Sequence, residues 1–114
     1  MVGFDHITTD NITTMSFVTR DGTTTNRATF TVPTLAAGNA YDATIYSAPN
    51  GSNICYRLVD VLTGNTLVNN CTTTNIPANT TFLGPQVQMS NGTANLTATT
   101  TAIGINKIYL ETDN

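Results

Sequence analysis

Residues 52–77, SNICYRLVDVLTGNTLVNNCTTTNIP, decide how this chain is read. Two runs rich in β-branched and aromatic side chains flank Leu62-Thr63-Gly64-Asn65. That tetrapeptide is a turn signal, because glycine and asparagine accept backbone angles that other residues resist. In the first run Ile54, Tyr56 and Leu58 share one face, and Cys55, Arg57, Val59 and Val61 share the other. An apolar majority on both faces predicts a central strand covered on both sides. Each run carries one of the two cysteines, Cys55 and Cys71. Counting outward from the turn brings them nearly opposite each other, which leaves two readings open. One is a cross-strand disulfide; the other is a pair of buried thiols acting as small hydrophobes. The second is preferred, since a one-residue slip of register would separate the pair.

The same period-2 pattern extends in both directions. Gly3, Phe4, Asp5, His6 and Ile7 read as a short first strand. Met15 to Thr19 is a second, and Asp21-Gly22 closes a hairpin onto residues 27–32, where Ala28, Phe30 and Val32 alternate with Arg27, Thr29 and Thr31. Pro33 ends that run. Residues 40–47 place Tyr41, Ala43 and Ile45 on one face and Asp42, Thr44 and Tyr46 on the other. Asn50-Gly51 then marks a turn. Beyond residue 77, Pro85 delays a strand until Gln86, Asn91-Gly92-Thr93 is a further turn, and residues 103–112 close the chain as a strand with apolar residues on both faces. The count is about eight short strands, the signature of an all-β antiparallel β-sandwich of jelly-roll type. A chain of 114 residues supports a single domain, 1–114.

Composition narrows the function. Charged residues make up only 10% of the chain. Roughly a fifth is threonine, which suits solvent-facing strand positions that are polar without charge. Net charge is −3, and Arg20, Arg27, Arg57 and Lys107 are scattered singly, so no basic patch predicts nucleic-acid binding. No apolar run reaches the length of a membrane span, and MVGFDHITTDN has neither the basic start nor the apolar core of a signal peptide. Six Asn-x-Ser/Thr sequons, at Asn11, Asn50, Asn70, Asn79, Asn91 and Asn95, follow from the abundance of both residue types.

No constellation predicts catalysis, a metal or a cofactor. His6 is the lone histidine and Glu111 the lone glutamate, so neither has a partner in an acid–base motif. Asp5, Asp10, Asn11, Asp21, Asp60 and Asp113 could supply oxygen ligands to calcium only if loops gathered them, and EF-hand spacing is absent. Tyr41, Tyr46, Tyr56 and Tyr109 are read as exposed rings able to stack on sugars, although a structural role is the commoner one for tyrosine on a strand.

Several short pieces occur in order: Pro49-Asn50 with Ile54-Cys55-Tyr56-Arg57; Thr63-Gly64; Thr73-Thr74-Asn75-Ile76-Pro77; Thr81-Phe82-Leu83-Gly84-Pro85-Gln86; Asn91-Gly92-Thr93; and Ile108-Tyr109-Leu110-Glu111-Thr112-Asp113. Together they resemble the lectin-like jelly-roll domains at the ends of tailed-bacteriophage tail fibres and related virion surface proteins. The resemblance covers about residues 49–114. It implies a non-enzymatic virion protein at the particle surface, assembled as a homotrimer with other virion proteins as partners and a host-surface glycan as the ligand of a fibre tip. The contacts it implies lie on loops around Asn50, Ser52, Asn75, Asn79, Asn91 and Thr93. The family domain usually has further strands before the one resembled by Gly3-Phe4-Asp5. Here they are absent, so the chain is either a minimal version or is completed by its neighbours. That departure keeps a capsid decoration protein, which stabilises the shell by contact area, as the alternative to a tail-fibre tip.

Overall fold

The computed structural model describes residues 1–7, 9–81, 83–88 and 104–111. The chain falls into two units, Met1–Phe82 and Leu83–Asn114. In the first unit six antiparallel strands form two three-stranded sheets, and no helix occurs among the described residues. The first sheet orders β1 (Val2–Asp5), β2 (Thr14–Arg20) and β3 (Thr25–Thr31) side by side. The second orders β4 (Tyr41–Tyr46), β5 (Ile54–Asp60) and β6 (Thr66–Thr72).

The turns form where the sequence places them. Asp21 caps the β2–β3 hairpin: its Oδ1 accepts hydrogen bonds from the backbone N–H of Thr23 and Thr24, both at 2.8 Å, and Gly22 takes φ 120°. At the β5–β6 turn, the buried Asp60 does the same work. Its Oδ1 accepts from the N–H of Leu62 and Thr63, while its carbonyl accepts from Gly64 N at 2.8 Å. Gly64, at φ 73°, supplies the left-handed step that lets the chain reverse.

The two sheets pack through aromatic rings. Phe17 of β2 is fully buried and stacks on Tyr56 of β5, centroids 3.8 Å apart at 9°. Phe4 meets Phe17, Phe30 and Tyr56 edge-on at 5.3, 6.1 and 6.0 Å. Leu58 and Val32 complete the core, and Val18 is buried on the other face of β2. Tyr56 is therefore not one of the exposed aromatics expected from the sequence. Its ring closes the interior because its parity on β5 is the inner one.

Three further expectations are corrected. Cys55 and Cys71 form a disulfide, and Cys71 is exposed, so they are not a pair of buried thiols. The cause is a β-bulge. Val59 pairs with Thr66 but Leu58 pairs with Val68, leaving Leu67 as an extra residue in β6. Were Leu67 paired with Leu58 in an unbulged ladder, Cys55 would face Asn70 and the Cys71 side chain would lie on the opposite face of the sheet. With Leu67 extruded, Cys55 pairs directly with Cys71, Cα atoms 3.9 Å apart. Second, β5 is central by pairing but is not covered on both faces: Arg57 is exposed, and so is Val61 just beyond the strand. Third, the strands expected from Gln86 and over 103–112 are not seen in the described parts of those stretches. Residues 86–88 and 104–111 join no ladder, and every one of them is exposed. An alternating apolar pattern makes a strand only when another strand supplies the hydrogen bonds, and none is paired with these residues. The two remaining turn positions of that region, Asn91 and Thr93, lie outside the described residues.

An ion cluster ties β1 to β3. Arg27 donates from Nη2 to Asp5 Oδ1 and to Asp10 Oδ2, both at 2.7 Å, with Nε and Nη1 adding longer bonds to the same two carboxylates. Arg27 lies opposite Val18 on β2, so its stem lies beside the buried valine while its head holds the loop that carries Asp10. Hydrogen bonding from Arg27, and then from the Ile7 N–H, holds the Asp10 carboxyl down at about 2, against 3.8 for a free aspartate. A carboxyl depressed in the folded state contributes stability above its unfolded pKa and loses it as pH falls through the folded one. An acid titration of stability should therefore show a decline between about pH 4 and pH 2. Asp10→Asn should flatten that decline; a profile of equal steepness in the variant would contradict the assignment.

Candidate functional site

Strand register gathers several loops at one end of the first unit. β4 ends at Tyr46, opposite Cys55, and β6 ends at Thr72, opposite Ile54. The β4–β5 loop (47–53) and the exit from β6 (73–80) therefore leave the sheet side by side. The first sheet brings its own turn to the same end, because Thr19 Oγ1 donates to the Thr74 carbonyl at 2.7 Å. Arg20, the capped turn at 21–24 and the amino group of Met1, which donates to the Arg20 carbonyl at 3.0 Å, belong to this end as well.

The β4–β5 loop has a fixed shape. Gly51 N donates to the Ala48 carbonyl at 2.8 Å, closing a turn with Pro49 and Asn50 at its centre. Asn50 takes φ 54°, a left-handed angle that asparagine tolerates better than most residues. A Cβ at position 51 would lie 2.8 Å from the Ala48 carbonyl oxygen and 2.9 Å from Ser47 Oγ, so glycine is required there by contact. Ser47 Oγ donates to the Asn53 carbonyl at 2.8 Å and pins the loop at its base. On the neighbouring exit, Asn75 takes φ 48°, and Thr81 N donates to the Ala78 carbonyl at 2.9 Å, placing Asn79 in a second turn. The Cys55–Cys71 bond crosses the strands directly beneath both loops.

Four of the six residues expected to make contacts are thus brought to one end. Asn50, Ser52 and Asn79 are exposed, and Asn75 is half-buried. Asn91 and Thr93 lie outside the described residues. No family model, curated protein or solved structure matches this chain.

The chemistry at this end is that of neutral amides and hydroxyls, with Arg20, Asp21 and the Met1 ammonium as exposed charges at its margin. Hydrogen bonding to the backbone N–H of Thr24 and Thr23 holds the Asp21 carboxyl below the usual range, so it stays ionised and committed to its turn. Such a surface can accept and donate hydrogen bonds to a neutral partner, and fixed loops lower the ordering cost of doing so.

The outer face of the second sheet is a second polar surface. Register places Tyr46 beside Cys55, and Thr44 beside Arg57 and Asn69. Arg57 Nη2 donates weakly to Thr66 Oγ1 at 3.4 Å. Tyr46 is 53% exposed and is the one ring on the β4–β6 sheet that stands open to solvent. The lone histidine is committed elsewhere: His6 Nδ1 is 2.8 Å from the Thr14 carbonyl, which fixes Nδ1 as the protonated nitrogen.

The gathering of Asp5 and Asp10 was only partly foreseeable. Both stood among the oxygen donors, and they do meet, but the charge between them is the Arg27 guanidinium. The only sequence signal was Arg27 on the polar parity of β3; its partners come from β1 and from a loop, and no local pattern links the three.

Proposed function

We propose that this chain is a non-enzymatic bacteriophage virion structural protein, folded as a jelly-roll-type β-sandwich and acting at a tail-fibre tip as a receptor-binding domain. The observation that carries the reading is the loop end, where Asn50, Ser52, Asn75 and Asn79 are displayed from fixed turns above the Cys55–Cys71 bond. The ligand class that suits it is a neutral host-surface glycan, met by amides and hydroxyls. Copies of the chain, three in a fibre tip, and other virion proteins are its partners, and the particle surface is its location. Capsid decoration is the second reading. It draws support from the large apolar side chains open to solvent, Ile45, Val61 and Leu62 among them, which suit a protein working by contact area.

Electron microscopy of labelled particles separates the two. Label at fibre ends supports the tip; label spread over the head at a copy number near that of the shell supports decoration. A tip protein added free should also block infection. Replacing Ser52 and Asn79 together by alanine should raise the half-blocking concentration by about tenfold, the loss of one or two net hydrogen bonds. Those two positions are suited to alanine because neither has the left-handed backbone of Asn50 and Asn75. Unchanged blocking by the double variant would remove the loop end from the binding surface.

A further inference from the structure

The second unit has an arrangement that its own described residues leave unexplained. Leu83, Val87, Ile105, Ile108, Tyr109 and Leu110 are all at least half exposed. Residues 104–111 run without helix, turn or bend, and none joins a ladder. An extended run with open backbone groups and exposed apolar side chains is a template for another strand. We propose that residues 107–111 pair antiparallel with the same residues of a second copy, about a two-fold axis at Tyr109.

Charge and apolar matching select this partner and this register. In an antiparallel pair centred on Tyr109, Lys107 of each copy faces Glu111 of the other, Ile108 faces Leu110, and Tyr109 faces Tyr109. Every charge meets its opposite and every apolar side chain meets another. A parallel in-register pair would set Lys107 against Lys107 and Glu111 against Glu111, and like charges directly opposite are destabilising. A shift of two residues one way would leave Lys107 facing Tyr109, and a shift of two the other way would set Tyr109 against Glu111. The side chains are already disposed for the antiparallel arrangement: Tyr109 Oη donates to Glu111 Oε2 at 3.1 Å, as two residues of equal parity on an extended chain can. Among the described residues Lys107 makes no ion pair. The symmetry is self-complementary and closes at two copies. Because the ladder is short, the contact belongs with small, concentration-dependent interfaces. It goes beyond the virion reading and stands whether the protein sits at a fibre or on a shell. A threefold assembly paired this way would contain six copies.

Sedimentation of the full chain over a concentration series tests the pairing. An even-numbered assembly is expected. Lys107→Glu and Glu111→Lys should each weaken it, raising the dissociation constant on the order of tenfold, since two opposed pairs become like-charged. The double variant, Lys107→Glu with Glu111→Lys, should restore the affinity. Both positions changed are exposed, and circular dichroism checks that the fold is kept. Under mild oxidation Tyr109→Cys should link two copies through the axis, whereas Lys107→Cys alone should not. A monomer at every concentration, an odd-numbered assembly, failure of the charge swap to restore affinity, or equal cross-linking by Lys107→Cys would each overturn the proposal.

Discussion

Phe17→Ala should destabilise the protein by about 3–5 kcal/mol, the largest effect expected of any single substitution described. Phe17 is fully buried, and its ring lies flat on Tyr56 at 3.8 Å with Phe4 against its edge at 5.3 Å. Deleting the ring removes the stacked contact that joins the sheets and leaves a cavity lined by the Phe4 and Tyr56 rings, which β1 and β5 hold in place. Neither sheet can close the gap without breaking its own ladder, so the cavity cost adds to the transfer cost. Domains of this size are stable by about 5–15 kcal/mol, so the variant should be at the edge of unfolding. Urea unfolding followed by tyrosine fluorescence reads it directly. Phe30→Ala is the comparison: Phe30 is only half-buried and meets Phe4 at 6.1 Å, so its loss should cost clearly less. Equal midpoints for the two variants would show that the Phe17–Tyr56 stack is not the centre of the core.

Reducing the Cys55–Cys71 bond should cost about 3 kcal/mol, the value for a closed loop near fifteen residues. The two cysteines are separated by 16 positions, and the loop they close is the whole β5–β6 hairpin. In the unfolded chain the bond forbids most conformations of that hairpin, so its removal returns entropy to the unfolded state. The measurement is the urea midpoint with and without reductant, with Cys55→Ala/Cys71→Ala as a control that reductant should leave unmoved. Thiol titration of the native protein should find no free thiol, and two after reduction. Coincident midpoints would dismiss the stapling role. A structural disulfide persists in oxidising surroundings.

Much of the first unit was legible because its signals are local. Asp21-Gly22, Asn50-Gly51 and Thr63-Gly64 mark reversals through residues able to take unusual backbone angles, and all three are turns in the structure. The alternation of Ala28, Phe30 and Val32, and of Ile54, Tyr56 and Leu58, assigns faces because side chains on a strand alternate with period two. The loop contacts were legible only as candidates. That Asn50 and Asn75 leave from one end depends on which strands neighbour β5, and no property of either tetrapeptide states that.

The cysteine pair draws the boundary most clearly. Counting from the turn put Cys55 and Cys71 near each other, but whether they could bond depended on Leu67 being extruded as a bulge. A bulge is chosen by how both strands fit the rest of the sheet, so it leaves no mark in the hairpin's own sequence. The same limit explains residues 104–111. Their composition is that of a strand, and a strand's existence rests on a partner that the pattern does not name. The sequence by itself determined the all-β class, the turns and the faces of the central hairpin, because those follow from each residue's own backbone and side-chain preferences. Only the tertiary structure decided the register that closes the disulfide beneath the loops, the ring stack that joins the sheets, and the guanidinium that gathers Asp5 and Asp10. Each of these joins residues distant in the chain, and such contacts are fixed by packing.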